Sequence, residues 1–213
     1  MTRVVGLGAG GHAAVVVDIL RLGGHDIIGL LDPDSNLADA RVVGVPVLGG
    51  DELLAGMRDL DVRAFFVGVG STPNTAARRR LYALGRDAGL QPLAAVHPAA
   101  VLAASATLGT GVTVMAGAII NPRASLGDNA IVNTGAIVEH DCVVGDHCHV
   151  APRAVLGGGV RMDEAAHVGI GAVVREQCRI GAEAVVGAGA VVISDVPAGV
   201  TVVGVPARVL SRT

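Results

Sequence analysis

A histidine between two carboxylates, Glu139-His140-Asp141, is the group in this chain best suited to move a proton. A carboxylate beside an imidazole fixes its tautomer and raises its basicity, as a general base requires. Eighteen residues later comes Gly157-Gly158-Gly159, backbone without side chains. If position 158 lies over position 140, the Gly158 N–H can meet charge developing on a carbonyl oxygen while His140 takes a proton. The plainer reading of His140 is a solvated loop residue. Asn133, seven residues earlier, is expected near the same face as a small polar contact. His149 and His167 are eighteen apart and are expected to stack on one edge, where a metal ion is an open alternative. No Ser or Cys neighbours His140 in a way that suggests a nucleophile.

A repeat brings these positions together. From Val96 to Pro197 the chain divides into seventeen six-residue blocks without insertion. The first residue of each block is aliphatic, and the fifth is Ala, Val or Cys. A period of six held this long predicts a parallel β-helix, each block supplying one short strand and a corner. Three blocks make a coil, so residues eighteen apart stack at about 4.8 Å. His140 is the third residue of its block, outside the two core positions, and Gly158 follows directly above it. Each buried block-leading side chain should contribute about 1.5–3 kcal/mol before entropy is counted. Cys142, Cys148 and Cys178 all take the fifth position, which explains them better as core residues than as ligands or nucleophiles.

The first part of the chain obeys another rule. Strands are predicted at Val4–Leu7, His25–Leu31 and Ala64–Val69, with a short extended piece at Arg41–Val47. Helices are predicted from about His12 to Leu22, over Asp51–Arg58, and from about Asn74 to Ala88, the last with several Arg on one face. This alternation implies a small, Rossmann-like parallel α/β sheet over residues 1–92, followed by a β-helix domain with a C-terminal tail over residues 93–213. Gly6, Gly8 and Gly11 fit G-x-G-x-x-G between a strand and a helix, with Asp32 ending the next strand. Backbone N–H groups at such a helix start favour a phosphate. Three readings stay open: a nucleotide-linked substrate, a packing turn, and a dinucleotide.

Composition narrows the classes. The net charge is −3, which gives no footprint for nucleic acid or an anionic membrane. Every basic residue is Arg, so Schiff-base and P-loop lysine chemistry are excluded. One Tyr, two Phe and no Trp suit a narrow solenoid core. Gly, Arg and Asp interrupt the apolar stretches before the roughly 20 residues a membrane span needs. Met1-Thr2-Arg3 leads straight into a strand, and the expectation is a soluble, cytoplasmic protein.

Together these residues resemble the sugar N- and O-acyltransferases built on left-handed hexapeptide β-helices. The nearest likeness is to enzymes that acetylate the 4-amino group of UDP- or GDP-linked 4-amino-4,6-dideoxy sugars, of bacillosamine and perosamine type, with sialic acid O-acetyltransferase-like proteins beside them. It is carried by Gly8-Ala9-Gly10-Gly11-His12, Leu31 to Asp34, Val67 to Gly70, Asn133-Thr134-Gly135, Glu139 to Cys142, and Gly204 to Arg208. The resemblance implies that His140 is the catalytic base, Asp141 the group that raises its basicity, and Gly158 the oxyanion donor. It implies a nucleotide-sugar site lined by Gly10, Gly11, His12, Asp32 and Gly70; Asn133, placed by its spacing to His140, is expected as a further substrate contact. It also implies acetyl-CoA as co-substrate against His149, Ile170 and Ala188, no metal, and a homotrimer with sites between subunits.

Three rival functions are distinguishable: an O-acetyltransferase of a sugar hydroxyl such as that of sialic acid, a metal-dependent hydratase on His149 and His167, and a non-catalytic nucleotide-binding scaffold.

Overall fold

A computed structural model describes residues 2–71 and 75–210 of the 213-residue chain. Thr72 and Pro73 of the turn expected after the third strand, and Asn74 at the expected helix start, lie outside the described residues, as do Met1 and the last three. Two compact units are present, Met1–Pro98 and Ala99–Thr213.

The first unit is an α/β sheet. Its elements are β1 (Arg3–Leu7), α1 (Gly11–Leu22), β2 (Asp26–Leu31), β3 (Arg41–Val42), β4 (Val45–Gly49), a 3-10 helix over Asp51–Leu60, β5 (Ala64–Val67), α2 (Ala76–Asp87) and β6 (Gln91–Pro92). The strand order is β3-β4-β2-β1-β5-β6. β1 is central and carries Val4, Val5 and Leu7, all fully buried, as a strand covered on both faces requires. α1 buries Ala13, Val16, Val17, Ile19 and Leu20, an apolar stripe that offsets the weak helix propensity of its valines. The residue pattern predicts one extended piece over 41–47. The chain instead turns through Val43 (φ 49°) and Gly44 (φ 80°), and β3 runs antiparallel to β4. The Asp51–Arg58 helix is tighter than expected, of 3-10 type, and runs on to Leu60.

The second unit is a β-helix of two-residue strands. Strands eighteen residues apart pair in parallel, with Cα partners such as Ile119 and Ile137, Val143 and Arg161, and His149 and His167. Block-leading residues from Val114 to Val192 are buried together with the small fifth residues, the three cysteines among them. Leu102 and Leu108 are only partly covered, because the first coil of a stack has a coil on one side only.

From Gly111 to Gly189 the fourth residue of each block turns the corner in the left-handed backbone region, at Arg123 (φ 62°), Asn129 (57°), Asp141 (62°), His147 (59°) and Gln177 (60°) as well as at glycines. Each such non-glycine residue carries a local penalty of about 1–2 kcal/mol, which the coil's hydrogen bonds and core must offset. The residues preceding the block-leading positions lie on three flat faces, one of which has Thr113, Ile131 and His149 buried. Another presents only aliphatics: Val101, Ile119, Ile137, Val155, Val173 and Val191.

Candidate active site

His140 and Asp141 form one corner of a coil. The strand Ile137–Val138 delivers them, Val138 is locked in the core, and the left-handed turn at Asp141 swings its carboxylate back to the ring. Asp141 Oδ2 lies 2.7 Å from His140 Nδ1. The same carboxylate meets Arg123, with Nε 2.6 Å from Oδ1 and Nη2 2.7 Å from Oδ2. Arg123 first and His140 second hold the Asp141 carboxyl well below the usual carboxylate range. An ionised carboxylate can only accept, so Nδ1 donates to it, and the neutral ring then has its lone pair on Nε2. The second flanking acid, Glu139, accepts from the His140 backbone N–H through Oε2 at 3.3 Å.

One rung up, Gly158 leaves room for the imidazole: a Cβ there would lie 2.7 Å from His140 Cε1 and 2.8 Å from Nε2. The rungs are tied by the Gly159 N–H donating to the His140 carbonyl at 2.9 Å. The Gly158 N–H itself has no hydrogen-bond partner among the described residues, which leaves a free donor beside a free imidazole nitrogen. Cys142, two residues away, donates to the Gly157 carbonyl at 3.2 Å, and burial pushes its thiol up to about 11. Burial likewise takes Cys148 up to about 12. Neither is a thiolate ready to attack.

Asn133 does not join this corner. Six residues advance the chain by a third of a coil, so an offset of seven puts Asn133 at the preceding corner, across the aliphatic face from His140. There it donates through Nδ2 to His149 Nε2 at 3.1 Å, while its Oδ1 accepts the Thr134 N–H. His149 and His167 stack as expected, with ring centroids 4.9 Å apart and edge to face. Among the described residues no group of three or more His, Cys, Asp or Glu could hold a metal ion. Ile170 and Ala188, both exposed, occupy the Asn133 corner on successive rungs, joined by the Gly189 N–H to the Ile170 carbonyl. His140 and the residues expected to hold acetyl-CoA are therefore on different corners of one chain. His140 is 58% exposed. A cavity of about 430 Å³ over the last coil is lined by Val192, Asp195, Val202 and Arg208, not by His140.

In the first unit the glycine turn follows β1. Gly6 is packed so tightly that any side chain would overlap Leu30 and Phe66, and Gly8 turns at φ 99°. Gly10 and Gly11 are open: an added Cβ would meet nothing within 4 Å. Asp32 braces the turn, its Oδ2 accepting from the Ala9 N–H at 2.8 Å and its Oδ1 from the Asp34 N–H at 3.0 Å. His12 is pushed down to about 3 by burial and then by Arg78, so its ring is neutral. Gly70 lies against it, with His12 Nδ1 3.9 Å from where a Cβ would be.

Arg78 and Arg123 were not singled out from the sequence. Arg78 is 1% exposed, points inward from α2, and donates to the Val67 and Val69 carbonyls at 3.2 and 2.9 Å. Nothing in the Arg78-Arg79-Arg80 run marks which one turns inward. Arg123 could have been found, because it precedes Asp141 by eighteen residues.

A glycine-loop α/β unit joined to a hexad β-helix that carries a carboxylate-held imidazole defines the class of hexapeptide-repeat transferases. Residues 3–83 match the PglD N-terminal domain, and residues 123–158 match the bacterial transferase hexapeptide (six repeats). No curated protein matches the chain. Among solved structures, a histidine-to-alanine mutant of GDP-perosamine N-acetyltransferase from Caulobacter crescentus, in complex with CoA and GDP-perosamine, is 42% identical, with a TM-score of 0.94 over 100% of this chain and 98% of that one. The acetyltransferase domain of PglB from Neisseria gonorrhoeae, in complex with acetyl coenzyme A, is 36% identical, with a TM-score of 0.90 over 98% of each chain. WeeI from Acinetobacter baumannii is 29% identical, with a TM-score of 0.78 over 98% of this chain and 100% of that one. The chain belongs to the hexapeptide-repeat sugar N-acetyltransferase family, whose β-helix is left-handed.

Proposed function

We propose that this protein transfers an acetyl group from acetyl-CoA to the 4-amino group of a GDP- or UDP-linked 4-amino-4,6-dideoxy sugar, with His140 as general base. The observation that carries the site is the pairing of an Nε2 lone pair, pinned by ionised Asp141, with the unbonded Gly158 N–H. The amine attacks the thioester carbonyl, His140 Nε2 takes its proton, and the Gly158 N–H meets the charged oxygen. The C–N bond forms, the C–S bond breaks, and the proton passes from His140 to the departing CoA sulfur. The raised thiols of Cys142 and Cys148 favour direct attack over an acyl-enzyme.

The open turn at Gly10 and Gly11, at the start of α1, suits the diphosphate of a nucleotide, with neutral His12, Asp32 and Gly70 around it. The Caulobacter relative in complex with CoA and GDP-perosamine supports both substrates. Asn133, His149, Ile170 and Ala188 are assigned to substrate and cofactor contacts on the neighbouring corner. A homotrimer reconciles the two corners, since one chain's His140 edge can then face another chain's Ile170 edge. The all-aliphatic face between them, from Val101 to Val191, supports that self-association. Three free cysteines accord with a reducing, cytoplasmic setting.

The test is thiol release with acetyl-CoA and a panel of GDP-linked, UDP-linked, CMP-linked and free sugars. Turnover with a nucleotide-linked amino sugar, together with a loss of about 10²–10⁴ in kcat for His140→Ala, is expected. Full activity of that variant rules the assignment out. Asp32→Ala raises KM for the nucleotide sugar.

A further inference from the structure

We infer that Arg123 is a positioning residue for acyl transfer: it locks the Asp141 carboxylate in the plane that presents Oδ2 to His140. This rests on the reading of His140 as the base. Arg123 and Asp141 are the fourth residues of blocks one coil apart, both at φ 62°, so their side chains leave the same corner in register. The guanidinium grips the carboxylate as a fork, and Oδ2 is shared between Nη2 and His140 Nδ1. A planar two-point contact fixes the rotation of the carboxylate as well as its distance, which a point charge cannot do. The pair lies largely in solvent, where ion pairs contribute little to stability, so its effect falls on orientation.

Arg123 also balances charge at the ring. Asp141 meets the His140 ring from its own corner, Glu139 meets the His140 backbone N–H, and Arg123 reaches the Asp141 carboxylate from the rung below. Gly158 brings no charged group from above. Without Arg123 the Asp141 carboxylate faces the imidazole with no cation to balance it, which favours the protonated, inactive form of the ring to higher pH.

The experiment compares Arg123→Gln, Arg123→Lys and His140→Ala, with acetyl-CoA and either GDP-perosamine or a UDP-linked 4-amino sugar. Arg123→Gln is expected to lower kcat roughly tenfold, part of the 10²–10⁴ a positioned base contributes, with both KM values and Tm unchanged. The acid limb of its kcat/KM profile moves to higher pH. Arg123→Lys returns that limb toward wild type but recovers kcat only in part, having the charge without the fork. A wild-type kcat and pH profile for Arg123→Gln overturns the proposal, as does a loss that comes only with raised KM and lowered Tm. If His140→Ala turns over normally, the reading of the site itself fails, whatever Arg123 does.

Discussion

The imidazole of His140 fills the space that a side chain at position 158 would need, with Nε2 2.8 Å from the point where a Gly158 Cβ would stand. Gly158 is thus glycine for space, since its backbone is outside the left-handed region that its neighbour Gly159 occupies at φ 69°. The ring and the bare amide are held by the coil spacing.

That spacing makes Gly158→Ala a sharp probe. The new methyl pushes the exposed ring aside without straining the backbone, so the coil stays folded. Displacement of a catalytic group by about 1 Å can lower the rate by about 10²-fold. A fall in kcat of that order with an unchanged circular dichroism spectrum is expected; an active variant would show that the ring does not need this seat.

Asp141 titrates far from the working range. Its folded value is depressed, so its contribution is present above the ordinary carboxylate value of 3.8 and is lost only as pH falls through the depressed one. The His140 contact therefore persists from about pH 5 to about pH 9, and Asp141 adds no step to the rate profile there. Asp141→Asn should lower kcat roughly 10- to 10²-fold at every pH in that range. Kinetics over a buffer series check this, and a loss confined to acidic pH would contradict it.

His12 links stability to pH. Its ring is held near 3 against an ordinary 6.5, by burial first and by Arg78 second. Between those values the unfolded chain binds more protons, so stability rises with pH and is lost as pH falls below 6.5. The slope is at most about 1.4 kcal/mol per pH unit. Urea unfolding at several pH values should show this slope in the wild type and a flatter response in His12→Gln.

Arg78→Met keeps most of the buried volume but removes the donors to the Val67 and Val69 carbonyls. The buried Val67 carbonyl loses its Arg78 donor at a cost of about 1–3 kcal/mol, and the part-buried Val69 carbonyl loses its donor at less. Denaturant unfolding of the two proteins measures the difference, and a change below about 0.5 kcal/mol would mean those carbonyls find other donors.

How much was legible differs between the two units. In the β-helix up to Val192 a fixed offset of eighteen sets the neighbours along a corner, so the stacking of Gly158 over His140 and of His167 over His149 followed from counting; in the last coil the offset falls to sixteen, as in Val185 with Thr201. The offset of seven from Asn133 to His140 crosses to another corner, so the two do not stack. The Arg123 fork needed one thing more, the left-handed turn at the fourth residue that aims both side chains together.

The α/β unit has no such period. Its strands and helices were readable from local apolar pattern, but Arg78 and the Arg41–Val47 hairpin were not, because burial there depends on which distant segments meet. Residue order alone was enough for a six-residue repeat, two core positions per block and a glycine turn before a helix. The corner each polar side chain occupies, and whether it is held there, came from the three-dimensional fold, because both depend on backbone rotation at the turns and on packing between segments far apart in the chain.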